Sequence, residues 1–218
     1  NSGRADGPFV VVNAAAITTE NMELELFGVE ASAETEGRVG ALEEAHKGTL
    51  FLDEVAEMPR DTQNKILRVL VDQNFERVGG NRKVSVDVRV LSSTSIDIDE
   101  RIREGLFRED LFHRLAVVPV QVPGLADRRE DIAELIQAFM SQIEAQSGVK
   151  ACEINPDAMA VLESHSWPGN LRQLRNNVER LMILSRGDDG DPVGADSLPG
   201  EISDMLPKTP GMGDDHIM

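Results

Sequence analysis

Residues 48–54 read Gly48-Thr49-Leu50-Phe51-Leu52-Asp53-Glu54. A short apolar run with no polar alternation predicts a strand buried inside a parallel sheet. The run stops abruptly at two adjacent carboxylates. The carboxyl ends of parallel strands open onto the ligand crevice of an α/β sheet. An acid pair there has a chemical use: one carboxylate can hold magnesium, directly or through water, and the other can orient and deprotonate an attacking water. The same residues also fit a strand that leaves the sheet into a solvated acidic turn.

The neighbouring segments extend the pattern. Phe9-Val10-Val11-Val12 is a second apolar, β-branched run that reads as a strand buried on both faces. Thr18 to Phe27 follows as a helix, with Thr19 as its N-cap. Asp61 to Gln73 is a helix with Ile66, Leu67, Val69 and Leu70 on its inner side. After the turn signal Gly79-Gly80, Val84, Val86, Val88 and Val90 alternate with polar residues and predict one strand. Val117 to Val122 predicts another. Strands separated by helices imply a parallel sheet with helices on both faces.

Past about Asp127 the strand signals stop. Arg129 to Gln146 places Ile132, Leu135, Ile136, Phe139, Met140 and Ile143 on one helix face. Asn155-Pro156 is a helix start. Leu171 to Ser185 is a third helix, stopped by Gly187. The expected division is an α/β unit over 1–126, a small helical unit over 127–206 and a disordered tail over 207–218, rich in Pro, Gly and Asp.

Composition narrows the partners. A net charge of -17 opposes a phosphate backbone, so these residues alone are a poor DNA-binding surface. The acids are spread along the chain, which also suits a plain solubilising role. No apolar run approaches the ~20 residues that span a bilayer, and the first residues do not read as a signal peptide. The single cysteine, Cys152, allows no internal disulfide. A cytoplasmic location fits. The four histidines, His46, His113, His165 and His216, are scattered without metal-ligand spacing.

Two further stretches carry chemistry. Gly105 to Leu115 reads Gly-Leu-Phe-Arg-Glu-Asp-Leu-Phe-His-Arg-Leu, with Arg108 and Arg114 in a helix-like segment. A guanidinium is a planar, permanently charged partner for a terminal phosphate. The two could equally be surface arginines paired with Glu109 and Asp110. Trp167-Pro168-Gly169-Asn170 is a turn in which Asn170 can cap the following helix, leaving Arg172 in its first turn. A cation there opposes the helix macrodipole and would suit an anionic ligand, or it is simply exposed.

These three stretches, in this order, resemble the AAA+ domain of bacterial enhancer-binding proteins, the activators of sigma-54 RNA polymerase. Phe9-Val10-Val11-Val12-Asn13-Ala14-Ala15, Glu25-Leu26-Phe27-Gly28, Phe75-Glu76-Arg77-Val78-Gly79-Gly80 and Asp87-Val88-Arg89-Val90 extend the match over nearly all of residues 8–185. The resemblance implies a P-loop-type parallel sheet, truncated at its N-terminal side, followed by an all-α lid. It implies ATP and Mg2+ as cofactors of the complete domain. Asp53 then corresponds to the magnesium-side acid of the Walker B motif and Glu54 to the residue that activates water. Asn13 corresponds to an asparagine restraining that glutamate, and Thr94 and Ser95 to the sensor pair. Arg108 and Arg114 correspond to arginine fingers acting in trans, and Arg172 to the lid sensor. Fingers acting in trans imply self-association into a ring, usually a hexamer.

Three departures qualify the match. The sequence contains no G-x-x-x-x-G-K-[ST] loop. In the family that loop lies just upstream of this stretch, so the chain reads as a fragment expected to bind ATP weakly or not at all. After Glu25-Leu26-Phe27-Gly28 the family's Gly-Ala-Phe-Thr-Gly-Ala loop is replaced by Val29 to Gly37, which is shorter, acidic and without an aromatic residue. That substitution resembles the NtrX subfamily of nitrogen-responsive response regulators, and it makes RNA polymerase contact uncertain. Ser95 stands where the family has asparagine, offering one hydroxyl in place of an amide. Two functions stay open: the core of an ATPase, or a non-hydrolysing nucleotide-sensing or oligomerising scaffold. In both, DNA contact would come from a C-terminal domain and sensor-kinase contact from a receiver domain, neither in these residues.

Overall fold

In the computed structural model, which describes residues 2–32, 36–185 and 192–203, the run around Leu50 is the middle strand of a parallel sheet. The strands are β1 (Phe9–Asn13), β2 (Thr49–Asp53) and, after a hairpin of β3 (Asn74–Glu76) with β4 (Lys83–Ser85), β5 (Arg89–Ser92). Their order is β1-β2-β5. The register sets Asn13 opposite Asp53 and Leu52 opposite Ser92.

Side chains alternate across this sheet. On one face Val12, Leu50 and Leu52 are buried. They join one apolar cluster with Met22, Leu26 and Phe27 of α1 (Thr19–Phe27) and Leu42 of α2 (Ala41–Glu44). Ile66 and Val69 of α3 (Arg60–Asp72) and Leu111 of α5 (Glu109–Leu115) belong to the same cluster. Between them lies α4 (Ile98–Arg103), capped by Asp97, whose carboxylate accepts from the amides of Asp99 and Glu100. Each fully buried Leu here contributes about 1.5–3 kcal/mol.

The other face corrects the expectation of two-sided burial. Phe9 and Val11 are 62% and 57% exposed, and Leu91 is 40% exposed. A parallel strand is covered twice only where helices lie on both faces, and among the described residues the helices pack on the Val12–Leu50–Leu52 side. Val117 to Val122, predicted as a strand, is not one. Val117, Val118, Val120 and Val122 are 75–79% exposed. A β-branched run becomes a strand only when another backbone lies alongside to bond it, and none of the described residues does so.

The single strand predicted from Val84 to Val90 is two. Lys83–Ser85 pairs antiparallel with Asn74–Glu76, whereas Arg89–Ser92 pairs parallel with β2. Between them the Val86 amide donates to the Gln73 carbonyl, and the Asp87 carbonyl accepts from the Lys47 amide. Apolar alternation looks the same on either sheet, so periodicity does not reveal a change of partner. Helix boundaries fall within one to three residues of those expected. At α1 the N-cap is Thr18, not Thr19.

The contacts divide the chain between Val120 and Gln121. The second unit is helical: α6 (Ile132–Ser147), α7 (Pro156–Ser164), α8 (Asn170–Leu184) and the short α9 (Gly200–Ser203). Ile132, Ile136, Met140 and Ile143 of α6 face Leu174, Val178, Leu181 and Met182 of α8 in one cluster. Trp167 is buried in it, its indole N–H donating to the Leu162 carbonyl at 2.8 Å. Gly187 as a helix stop, and the tail from Pro207, lie outside the described residues.

Candidate functional site

Asp53 and Glu54 sit where β2 ends, both half-buried. Because Asn13 is the register partner of Asp53, the two side chains share a face. The Asn13 amide Nδ2 donates to Asp53 Oδ2 at 2.8 Å. Asn13 is itself oriented by the amides of Ala15 and Ala16, which donate to its Oδ1 at 2.9 and 3.1 Å. The second Asp53 oxygen, Oδ1, accepts from the Ser93 hydroxyl at 2.6 Å. Ser93 lies just past β5, where its own amide bonds the Leu52 carbonyl and its carbonyl takes the Val55 amide. Both Asp53 oxygens are therefore aimed by the adjacent strands.

Glu54 is placed differently. Its backbone is left-handed, with φ 52° and ψ 47°. For a residue with a Cβ this is a strained conformation costing on the order of 1–3 kcal/mol. Its Oε2 accepts from both the amide and the hydroxyl of Ser95, each at 3.0 Å. The asparagine expected to restrain Glu54 thus bonds Asp53 in this structure, and the residue bonded to Glu54 is Ser95. The cause is geometric. Asn13 faces its register partner, whereas the chain reverses at Glu54 and takes that carboxylate to the exit of β5.

The two residues expected as sensors, Thr94 and Ser95, are both engaged within the protein. Ser95 has both donors on Glu54. Thr94 is exposed, and its hydroxyl oxygen accepts from the Ile96 amide at 3.1 Å in a local turn. The arginines divide. Arg108 binds Asp110 through two parallel bonds, Nε to Oδ1 at 2.9 Å and Nη2 to Oδ2 at 2.6 Å, and Nη1 reaches Asn64 Oδ1. The bond to Asp110 raises the Arg108 guanidinium above its usual value, and the same bond holds the Asp110 carboxyl below the usual carboxylate range. The open alternative of a local Arg–Asp pair thus holds for Arg108. Arg114 is exposed in the last turn of α5, where a cation suits the helix dipole, and has no polar partner among the described residues.

In the helical unit Arg172 lies in the first turn of α8, exposed, and also without a partner among the described residues. Asn170 does not cap the helix as predicted. It has φ 47°, and its Oδ1 accepts from the Leu125 amide at 2.8 Å. Gln173 takes the capping work, its Oε1 accepting from the Gly169 amide at 2.9 Å.

Two residues with a part in this site were missed. Ser93 was visible only as one of several polar residues following an apolar run. Gln63 left a clearer trace: with Ile66, Leu67 and Leu70 it completes the i, i+3, i+4, i+7 face of α3, so a polar side chain is forced inward. It is fully buried.

The acidic loop after Gly28 is tied at its base. Val29 bridges both Arg38 and Val78. Gly28 has φ 73°, and a Cβ there would meet the Arg38 carbonyl oxygen at 2.3 Å, so only glycine fits the crossing. Arg77 grips Glu43 through two bonds of 2.7 and 2.8 Å, which raise the guanidinium above its usual value. Ala33, Glu34 and Thr35 of this loop lie outside the described residues.

Residues 1–121 match the model of the sigma-54 interaction domain, and residues 126–213 match that of the AAA+ ATPase lid domain. The nitrogen assimilation regulatory protein NtrX of Azorhizobium caulinodans is 57% identical over 100% of this chain and 48% of its own length. The DNA-binding transcriptional regulator NtrC of Escherichia coli is 45% identical over 93% of the chain and 43% of its own length. The crystal structure of NtrX from Brucella abortus in complex with ATP is 66% identical, with a TM-score of 0.90 over 98% of this chain and 47% of that one. The chain thus spans about half the length of the relatives it matches.

Proposed function

This chain belongs to the family of sigma-54 interaction domains, and from that premise we propose that it is the nucleotide-hydrolysing core and lid of a nitrogen-related, NtrX-like response regulator controlling transcription. The observation that carries the reading is the Asp53–Glu54 pair at the end of a parallel strand, with each carboxylate aimed by named donors. An NtrX crystallised with ATP supports nucleotide as the ligand.

The donor set fits a nucleotide-borne magnesium ion. No group of three or more His, Cys, Asp or Glu among the described residues could hold a metal alone. Mg2+ commonly takes one or two carboxylates and completes its shell with water and phosphate oxygens. Asp53 would be that carboxylate, steadied by Asn13 and Ser93. When bound, the ion neutralises charge on the phosphates. Glu54 would accept a proton from the water attacking the γ-phosphorus, as the bond to the β-phosphate oxygen breaks and ADP leaves. Arg108 and Arg114 would stabilise transition-state charge in a neighbouring subunit's site, and Arg172 would read the nucleotide from the lid. The phosphate grip needs a glycine-rich loop absent from these residues, so hydrolysis belongs to the complete protein. Self-association into a ring follows from arginines acting in trans. DNA binding and sensor-kinase input would use other domains, and the location would be cytoplasmic.

A second reading has its own observation. Both Ser95 donors are spent on Glu54, and Arg108 is bound to Asp110 and Asn64. That arrangement suits a nucleotide-sensing or oligomerising scaffold that regulates without hydrolysis. The Val29–Gly37 loop, lacking an aromatic residue, supports regulation without the usual sigma-54 contact. Phosphate release by the complete protein and its Glu54→Gln variant separates the two. Turnover well above the variant supports the ATPase. Turnover equal to the variant at assembling concentrations removes it and leaves the scaffold.

A further inference from the structure

Gln63 is a fully buried amide whose side chain joins three separate backbone points. Its Nε2 donates to the Met58 carbonyl at 2.7 Å and the Leu106 carbonyl at 2.9 Å. Its Oε1 accepts from the Arg108 amide at 2.9 Å. The next residue, Asn64, accepts from the Arg108 guanidinium. Consecutive residues of α3 thus hold Arg108 at both ends, the backbone by Gln63 and the side chain by Asn64. On either side of Arg108, Phe107 and Leu111 are buried in the core. At its other end the link reaches Met58, directly after the Val55–Glu57 turn that follows Glu54.

We infer that Gln63 is a positioning residue that sets Arg108 for use outside its own subunit and ties that setting to the segment following Glu54. The inference rests on the reading of Arg108 as an arginine acting in trans. A buried amide with both N–H groups and its oxygen in use has little freedom, so a shift at Met58 moves Leu106 and Arg108 with it. The state of one subunit's acid pair is thereby coupled to the arginine that the same subunit offers its neighbour.

The test uses the complete protein and mixed subunits. Gln63→Met keeps the side-chain length and removes all three bonds. Alone, it is expected to lose about 100-fold in ATP turnover, the scale of a small misplacement of a reacting group. Its own acid pair is intact, so mixing it with Glu54→Gln subunits, which carry a correctly held Arg108, restores turnover. Gln63→Leu, which likewise carries neither donor nor acceptor, replaces Gln63→Met in the mixing experiment should that variant not fold. Unchanged turnover in the folded variant, or a loss that mixing does not restore, overturns the inference. Arg108→Ala mixed with Glu54→Gln is the control for the trans reading. If that control gives no restoration, the trans reading fails. The role of Gln63 is then read from hydrogen exchange at the Arg108 amide, expected to be more than about tenfold faster in Gln63→Met because the bond that protects it is gone. Exchange at the wild-type rate overturns it.

Discussion

If Asn13 holds Asp53 and not Glu54, the two pairs must differ in energetic coupling. The perturbations are Asn13→Ala, Asp53→Ala and Glu54→Ala, with the doubles Asn13→Ala/Asp53→Ala and Asn13→Ala/Glu54→Ala. The bond from Asn13 Nδ2 to Asp53 Oδ2 is 2.8 Å long and part-buried. A hydrogen bond to a charged group contributes about 1.5–3 kcal/mol when buried. Half-burial lowers the expected coupling to about 1 kcal/mol. Asn13 makes no bond to Glu54, whose Oε2 is taken by Ser95, so that coupling should fall below about 0.5 kcal/mol, the usual range for independent sites. Urea unfolding followed by far-ultraviolet circular dichroism measures both cycles. Trp167 fluorescence would not serve, because that residue sits in the helical unit. A larger coupling for Asn13 with Glu54 than with Asp53 would refute the assignment and restore Asn13 as the restraint on the glutamate.

Three other outcomes follow from the same structure. Leu50→Ala, at a fully buried site in the central strand, should destabilise the α/β unit by about 2–5 kcal/mol in urea unfolding. Asp110 is held below the usual carboxylate range by Arg108, so the Arg108–Asp110 tether is complete above the unfolded carboxylate value of about 3.9 and is lost as pH falls through the lowered folded value. A carbon-detected NMR titration of Asp110 should therefore show a midpoint below that of a model aspartate, and Arg108→Ala should raise it, the Leu111 amide still holding it down in part. Trp167→Phe removes the indole bond to the Leu162 carbonyl and part of a buried ring. It should destabilise the helical unit by about 1–3 kcal/mol in urea unfolding.

Much of the fold was legible because its signals are local. The run Thr49–Leu52 was a strand in prospect and in fact, as was Phe9–Val12, and the apolar spacing of α3, α6 and α8 marked each helix to within three residues. The acid pair was legible for the same reason, since a strand ending in two carboxylates is a contiguous pattern. The misses have a common form. Val84 to Val90 was divided between two sheets, and Val117 to Val122 stayed unpaired, because strand formation depends on a neighbour that composition cannot supply. Asn170 was a plausible cap by residue type, yet its side chain was drawn to the Leu125 amide 45 positions away.

The amino-acid sequence by itself determined the strands through Val12 and Leu50, the helices α1, α3, α6 and α8, the placement of Asp53 and Glu54 at a strand end, and the family to which those motifs belong. Each depends on residues within a few positions of one another, where periodicity and side-chain type act directly. Only the tertiary structure decided which donor meets which acceptor: Asn13 and Ser93 on Asp53, Ser95 on Glu54, the Arg108 guanidinium on Asp110 and Asn64, and the Arg108 amide on Gln63. Those partners lie mostly some 40 residues apart in the chain. A hydrogen bond is set within a few tenths of an ångström, a precision that arises when register and packing bring the segments together.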